Sequence, residues 1–225
     1  MTKKERKRKK KLQTYNRKLI DQYPWLMPRS VWTGKPLKDY DYTWIEWGWT
    51  KGWDKAFGKM FMEELGAAIK EAGLEKRFLI YQIKEKFGSA RLYSNGITEK
   101  INRIIHNYEQ VSEGICIRCG KPDVPMINDG WYSPWCYECF RRNYKRREAW
   151  FLENHPEETP STEEVIREKY EKFIVQEPDE DGKYRIPDTY TVRCFSKEGN
   201  TEEVRDISYI TDNIRRRYLE HKHKL

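Results

Sequence analysis

The sequence predicts an α+β protein on three observations. Apolar residues recur at helical spacing over 54–73 and 98–112, short β-type runs punctuated by Gly and Asn lie between these segments, and two Cys-x2-Cys pairs follow them. At 225 residues the chain suffices for one large domain or two small ones. Only 37% of it is hydrophobic and 36% is charged. Nine Trp, fifteen Tyr and eight Phe nevertheless bring a large burial area per side chain, so aromatic anchors can replace an aliphatic core. A compact body with charged, extended ends is expected.

The net charge of +8 sits at one end. Residues 1–18 hold ten basic side chains against one acid, Glu5, which leaves −1 for residues 19–225. This segment reads as a basic N-terminal arm, in which Lys7, Arg8, Lys9, Lys10 and Lys11 would attract polyphosphate by counterion release, whatever the base sequence. A solubilising tail has the same composition. Leu12, Tyr15, Leu19, Ile20 and Tyr23 share one helical face, so the arm leads into a docked helix from about Gln13, ended by Pro24 and Pro28.

Residues 19–114 read as an aromatic-rich α+β domain. Six Trp (25, 32, 44, 47, 49 and 53) crowd its first part, as core anchors or as a stacking surface for bases, the core being the commoner use. Thr33 to Pro36 reads as a turn and Tyr42 to Trp47 as a short strand. A helix follows, with Asp54 as N-cap, Gly73 as stop, and Ala56, Phe57, Met60, Phe61, Leu65, Ala68, Ile69 and Ala72 on its apolar face. Phe78 to Ile83 and Ala90 to Ser94 read as two strands joined through Lys84–Ser89 with Gly88, and Asn95-Gly96 closes the second. An amphipathic helix from Thr98 to Ser112 buries Ile101, Ile104, Ile105, Tyr108 and Val111, with Gly114 as its C-terminal stop.

Residues 115–154 carry the sharpest signal, Cys116, Cys119, Cys136 and Cys139, spaced Cys-x2-Cys-x16-Cys-x2-Cys. Two residues between thiolates let both sulfurs reach one tetrahedral ion from a tight turn, and Gly120 stands where such a knuckle needs backbone freedom. The sixteen-residue excursion fits a hairpin with Asn128-Asp129-Gly130 at its tip. The second pair opens a helix with Tyr137, Phe140, Tyr144 and Phe151 on one face. Knuckle, hairpin and helix together predict a treble-clef module holding one structural zinc ion, since four thiolates leave no ligand position for water or substrate. The opposite helix face carries Arg141, Arg142, Lys145 and Arg146, either a solvated face or a contact for phosphate.

Residues 155–225 read as a small C-terminal helix and strand extension. His155 to Thr162 is a polar linker, and Ser161 with Glu164 forms a capping box for a helix carrying Val165, Ile166, Tyr170 and Phe173. Thr189 to Ser196 is a strand, flanked by turn clusters at Asp179–Gly182 and Lys197–Asn200, and Ser208 to His221 is a last helix. The full expectation is a helix-hairpin-helix module with an embedded treble-clef zinc module of four cysteines and this α+β extension.

Enzyme signatures are weak. Gln82-Ile83-Lys84 has the spacing of a metal-dependent nuclease strand but no Asp on a preceding strand, and Glu63 and Glu64 lie on a helix. The hairpin from Gly120 to Trp135 holds no His, which argues against the nucleases that use the treble-clef fold. His106, His221 and His223 have no Ser, Cys or paired carboxylate in a catalytic relation, and Cys194 within a strand reads as a small buried residue. No apolar run is long enough to span a bilayer, no apolar stretch follows the basic start, and paired Cys fit a reducing compartment. A cytoplasmic protein is expected.

The stretch Tyr81-Gln82-Ile83-Lys84-Glu85-Lys86-Phe87-Gly88-Ser89-Ala90-Arg91-Leu92-Tyr93, with Cys116-Ile117-Arg118-Cys119-Gly120-Lys121-Pro122 beyond it, resembles a widespread set of phage and prophage proteins. Those carry a VKEKFG-x-LR-x-Y segment before a Cys-x2-Cys-Gly-x-Pro knuckle and a second Cys pair, and Tyr23 to Gly34 is similar to their YPWL-x-PR-x-x-WTG opening. The likeness spans roughly residues 19–140, with Ser89-Ala90 in place of a small-Leu pair. It implies a phage accessory protein acting in the bacterial host cytoplasm and implies no activity. The expected function is non-enzymatic binding of nucleic acid or a host nucleoprotein complex, the alternative being a protein–protein inhibitor of a host defence or nucleic-acid enzyme.

Overall fold

The computed structural model describes residues 2–27, 29–30, 32–33, 35–36, 50–95, 98–196 and 199–222. The expected strand at 42–47 and Trp44, Trp47 and Trp49 lie outside them, as does the side chain of Cys194. Among the described residues, helices are mixed with three separate antiparallel hairpins, as an α+β chain should have.

Helix α1 runs Lys3–Gln22 and corrects the expectation of an extended basic end. Thr2 accepts the Glu5 amide and the Glu5 carboxylate accepts the Thr2 amide, a capping box that starts the helix inside the charged segment. Lys, Arg, Gln and Leu are good helix formers, so the run continues despite like charge. Among the described side chains of α1 only Ile20 is buried, with Leu19 packed beside it. Pro24 then begins a 3-10 turn, Pro24–Leu26, that buries Trp25 and Leu26. Trp25 meets Phe78 edge-on at 5.8 Å, and its indole fills the space that a side chain at Gly66 would need. Trp32, by contrast, is 92% exposed, so the tryptophan-rich opening is only partly core.

The next helical run starts four residues earlier than expected, with Thr50 and not Asp54 as its cap. Helix α2 (Lys51–Trp53) passes through a π-helical turn, Asp54–Gly58, into α3 (Lys59–Glu71), and Gly73 ends it at φ +65°. Trp53 is fully buried, and its indole N–H donates to the carbonyls of Ser112 (3.1 Å) and Ile115 (3.2 Å). The Ile115 carbonyl, just past the end of the following helix, is thereby satisfied by a side chain from a different element, while the Ser112 carbonyl also accepts the Ile115 amide at 3.2 Å.

Strands β1 (Ile80–Lys86) and β2 (Ser89–Ser94) pair antiparallel around a two-residue turn, Phe87-Gly88, both at positive φ. Helix α4 (Glu99–Ser112), capped by Thr98, covers the free edge of β2. Ser112 accepts the Ala90 amide and Glu109 accepts the Leu92 amide, so outward-facing strand donors are paired inside the chain. Gly114 does not take the left-handed stop conformation expected of it; the space a Cβ would fill there is occupied by Ile186.

Strands β3 (Met126–Asn128) and β4 (Tyr132–Pro134) form the short hairpin after the first Cys pair, with Gly130 at φ +103° in its tip, and α5 (Tyr137–Asn154) follows. Helix α6 (Glu163–Phe173) is capped by Thr162, not by Ser161, whose amide is taken by Glu148. It lays Ile166, Tyr170 and Phe173 on Phe140, Tyr137 and Tyr144 of α5, while Phe151 stays exposed and stacks on His155. Beyond α6, Ile174 bridges to Ile127 of β3.

Strands β5 (Thr189–Ser196) and β6 (Gly199–Asp206) make the third hairpin, and α7 (Ser208–Lys222) closes the fold. Ile186, Ile207, Ile210 and Ile214 join the main core of α3, α4 and the first hairpin. Arg215 of α7 grips Asp123 through Nε (3.0 Å) and Nη2 (3.1 Å), and reaches Asp188 with Nη1. The C-terminal segment is thus tied to the loop just after the first Cys pair.

Candidate metal centre

The four cysteines converge as their spacing requires. Their sulfurs all lie within 4.8 Å of one another, with Cys119 and Cys136 at 3.7 Å. A tetrahedral ion with metal–sulfur bonds of about 2.3 Å sets its ligands about 3.8 Å apart, so the donor set fits one ion such as Zn²⁺. Each pair is delivered by local backbone structure. The first sits in a knuckle closed by Gly120 N–H to the Cys116 carbonyl (3.0 Å) and Cys116 N–H to the Lys121 carbonyl (2.9 Å). The second straddles the start of α5, with Cys136 as its cap, so Cys139 is presented one turn later on the same side.

The hydrogen bonds within the cluster favour a thiolate at Cys116. Hydrogen bonds from Cys119 and Cys136 hold Cys116 well below the ordinary thiol range, while the same bonds push Cys119 and Cys136 up. Protons are therefore shared inside the cluster, and a divalent cation at its centre would replace them. The Arg142 guanidinium donates to the Cys139 sulfur at 3.1 Å. Cys116, Cys136 and Cys139 are buried and Cys119 is half-buried, so the cluster has one edge toward solvent.

Behind the knuckle stands the first turn of α2. Gly52 N–H donates to the Ile117 carbonyl at 3.0 Å, and a Cβ on Gly52 would overlap the Cys116 carbonyl. Gly120, at φ +78°, leaves no more room: a side chain there would come within 2.7 Å of the Gly52 carbonyl. Sequence reasoning misses Gly52, because a single Gly before a Trp gives no sign of close approach to another backbone.

The basic residues of α5 do not form one face. Arg141 and Lys145 both meet Glu163 of α6, at 2.7 and 3.5 Å. Arg142 and Arg146 instead line a cleft with Arg118, Trp135 and Asn143 beside the exposed edge of the cluster. In α1, Lys7 and Lys10 are exposed; Arg8, Lys9 and Lys11 lie within the same helix. Of the other residues weighed for chemistry, Lys84 lies over the Tyr93 ring at 5.0 Å. Glu64 accepts from the hydroxyls of Tyr108 (2.9 Å) and Tyr209 (2.8 Å). His106 is held below its usual value, by burial first and then by Arg205 and Arg91.

Fold and site together define an α+β protein with a four-cysteine cluster able to hold one metal ion. It is the one group of three or more His, Cys, Asp or Glu so arranged among the described residues. No helix among them is long and apolar enough to cross a membrane. No family profile, curated protein or solved structure matches the chain.

Proposed function

We propose that this is a zinc-stabilised, non-enzymatic nucleic-acid-binding protein, built on a treble-clef module and a helix-hairpin-helix module. In this reading Cys116, Cys119, Cys136 and Cys139 hold one Zn²⁺ as a structural crosslink between the knuckle and α5. Four sulfur ligands fill a tetrahedral ion, so the metal supplies folding energy and offers no position to a substrate. The partner is nucleic acid or a nucleoprotein complex. With the resemblance to phage and prophage proteins, the site of action is the bacterial host cytoplasm.

The observation that carries this reading is α1. It is a capped helix of twenty residues in which every described side chain before Leu19 is exposed, Lys3, Arg6, Lys7 and Lys10 among them. A preformed cationic rod places charges at fixed spacing for phosphate at little ordering cost. An inhibitor of a host nucleic-acid enzyme is the second reading. Its support is an exposed aromatic pair, Phe87 at 60% and Trp131 at 54%, which two hairpin tips stack 6.0 Å apart. Phe87 holds this place at φ +52°, a conformation that a bulky residue adopts only against strain.

The test is a salt titration of full-length protein on duplex and single-stranded DNA and RNA. Binding tighter than about 10 µM at moderate salt, weakening steeply as salt rises, is expected for phosphate-driven affinity. No binding on any of these ligands would leave the inhibitor reading, for which nuclease-resistant capture of one host protein is the mark.

A further inference from the structure

We propose that the Cys116–Gly120 knuckle is the midpoint of a track for single-stranded nucleic acid. It would run from a cleft holding Arg118, Arg142 and Arg146 to a second cleft holding Lys55, Arg217 and Lys222. The proposal rests on the nucleic-acid reading above and moves the specific contacts from the N-terminal helix to the metal module.

The two clefts share one wall. Cys119 lines both, the first lying toward α5 and the second toward the π-helical turn and α7. The three elements that meet here are far apart in sequence, so the surface exists only in the folded chain. None of the six cations has a carboxylate within ion-pair distance among the described residues. That is unlike their neighbours: Lys121 pairs with Glu138 at 3.8 Å, Arg141 and Lys145 with Glu163, and Arg215 with Asp123. These six cations, Arg142 on the Cys139 sulfur among them, also exceed the two net negative charges of a zinc ion with four thiolates. The surplus is positive at the point where the cluster reaches solvent.

The aromatic and amide groups select the class of ligand. Trp135 stands in the first cleft with the Arg118 guanidinium 5.7 Å from its ring centroid, a paired platform against which a base can stack. Asn143 lines the same cleft; its side-chain oxygen accepts from Arg146 at 2.7 Å, which leaves the amide N–H groups to donate to a base edge. A duplex keeps its bases stacked inside and would use the cations alone. An unpaired strand uses the cations, the indole and the amide together. The first cleft, about 460 Å³, has room for a base with its phosphate, and the second, about 150 Å³, suits a phosphate alone. Tyr218 lines the second cleft and can take the edge of the next base.

The experiment compares full-length, zinc-loaded protein with two variants on a fluorescent oligothymidine strand and on a duplex of equal length. The track variant carries Arg118→Gln, Arg146→Gln and Arg217→Gln; Arg142 is kept because it bonds the Cys139 sulfur. The charge-matched control carries Lys59→Gln, Lys100→Gln and Arg193→Gln, cations paired with acids elsewhere on the surface. The track variant should bind the single strand at least tenfold more weakly. Its salt slope should be smaller by about 2, at about 0.7 for each phosphate left unneutralised, while the control changes little. Equal weakening in both variants, or none in the track variant, overturns the track while leaving nucleic-acid binding in place. Absence of binding by the wild type overturns both. A preference for duplex overturns the single-strand assignment. If the track variant loses metal, photo-crosslinking of wild-type protein to a 5-iodouracil strand decides instead. Crosslinks should fall on Trp135 or Tyr218, and crosslinks confined to α1 would contradict the proposal.

Discussion

The Gly52 amide donates to the Ile117 carbonyl at 3.0 Å, and this single bond docks the start of the core helix run onto the backbone of the metal knuckle. The contact is backbone to backbone, with Gly120 on the other side, so nothing flexible is available to give way. The metal module and the aromatic core therefore fold against each other through two glycines.

Gly52→Ala should accordingly be among the most damaging small changes in the chain. A methyl group driven into the Cys116 carbonyl should cost about 3 kcal/mol or more, the upper end of overpacking effects, because the obstacle is main chain. Thermal melting and metal retention against a chelator should both fall. Gly73→Ala is the comparison: no atom lies within 4 Å of a Cβ there, so its cost should come only from the left-handed backbone.

Trp53→Phe separates shape from hydrogen bonding at the same junction. Phenylalanine keeps much of the buried ring but removes the N–H that serves the Ser112 and Ile115 carbonyls. The Ser112 carbonyl keeps the Ile115 amide, but leaving the buried Ile115 carbonyl unpaired should cost about 1–3 kcal/mol, plus the volume lost. Urea unfolding should show a lower midpoint with an unchanged slope, since the surface exposed on unfolding is nearly the same.

Glu163 gives a pH signature. The Tyr137 hydroxyl first, then the Arg141 guanidinium, hold its carboxyl at about 2 against an ordinary value of 4.5. The folded value is the lower one, so the unfolded chain takes up the proton first. The stabilisation is complete above pH 4.5 and is lost as pH falls from there toward about 2. The stability difference between wild type and Glu163→Gln should be constant above pH 4.5 and shrink below it. Because the site is open to solvent, the difference should also shrink with added salt. A difference that grew on acidification would contradict the assignment.

For α1, changing Lys7, Arg8, Lys9, Lys10 and Lys11 to Gln keeps the helix and its Thr2–Glu5 capping box, which a truncation would destroy. Circular dichroism should be unchanged. Affinity for duplex DNA should fall with the salt slope, by about 0.9 for each phosphate no longer neutralised. Weaker binding with an unchanged slope would show that these residues act through something other than phosphate.

How much of this is legible in the sequence depends on whether each signal is local. The ligand spacing, the apolar stripe of α4, the strand at Thr189–Ser196 and the last helix are short-range patterns, and the elements appear where expected. Helix α1 is only half legible because its charged first half is started by a capping box and continued by side-chain propensity, whereas the apolar positions that signal a helix begin only at Leu12. The caps fall at Thr50 and Thr162 although Asp54 and Ser161 satisfy the same pattern equally well. The glycine contact at Gly52, the seat for Ile186 at Gly114 and the division of the α5 cations by Glu163 are tertiary facts. No spacing within one element announces them.

Whether one zinc ion at Cys116, Cys119, Cys136 and Cys139 completes the fold is read from native mass spectrometry of the full-length protein, purified without added metal. One zinc per chain is expected, with four sulfur protons displaced. In Cys136→Ser that mass should disappear and residues 116–154 should unfold with it. A metal-free protein with an unchanged melting transition, or iron in place of zinc, would contradict the structural-zinc reading.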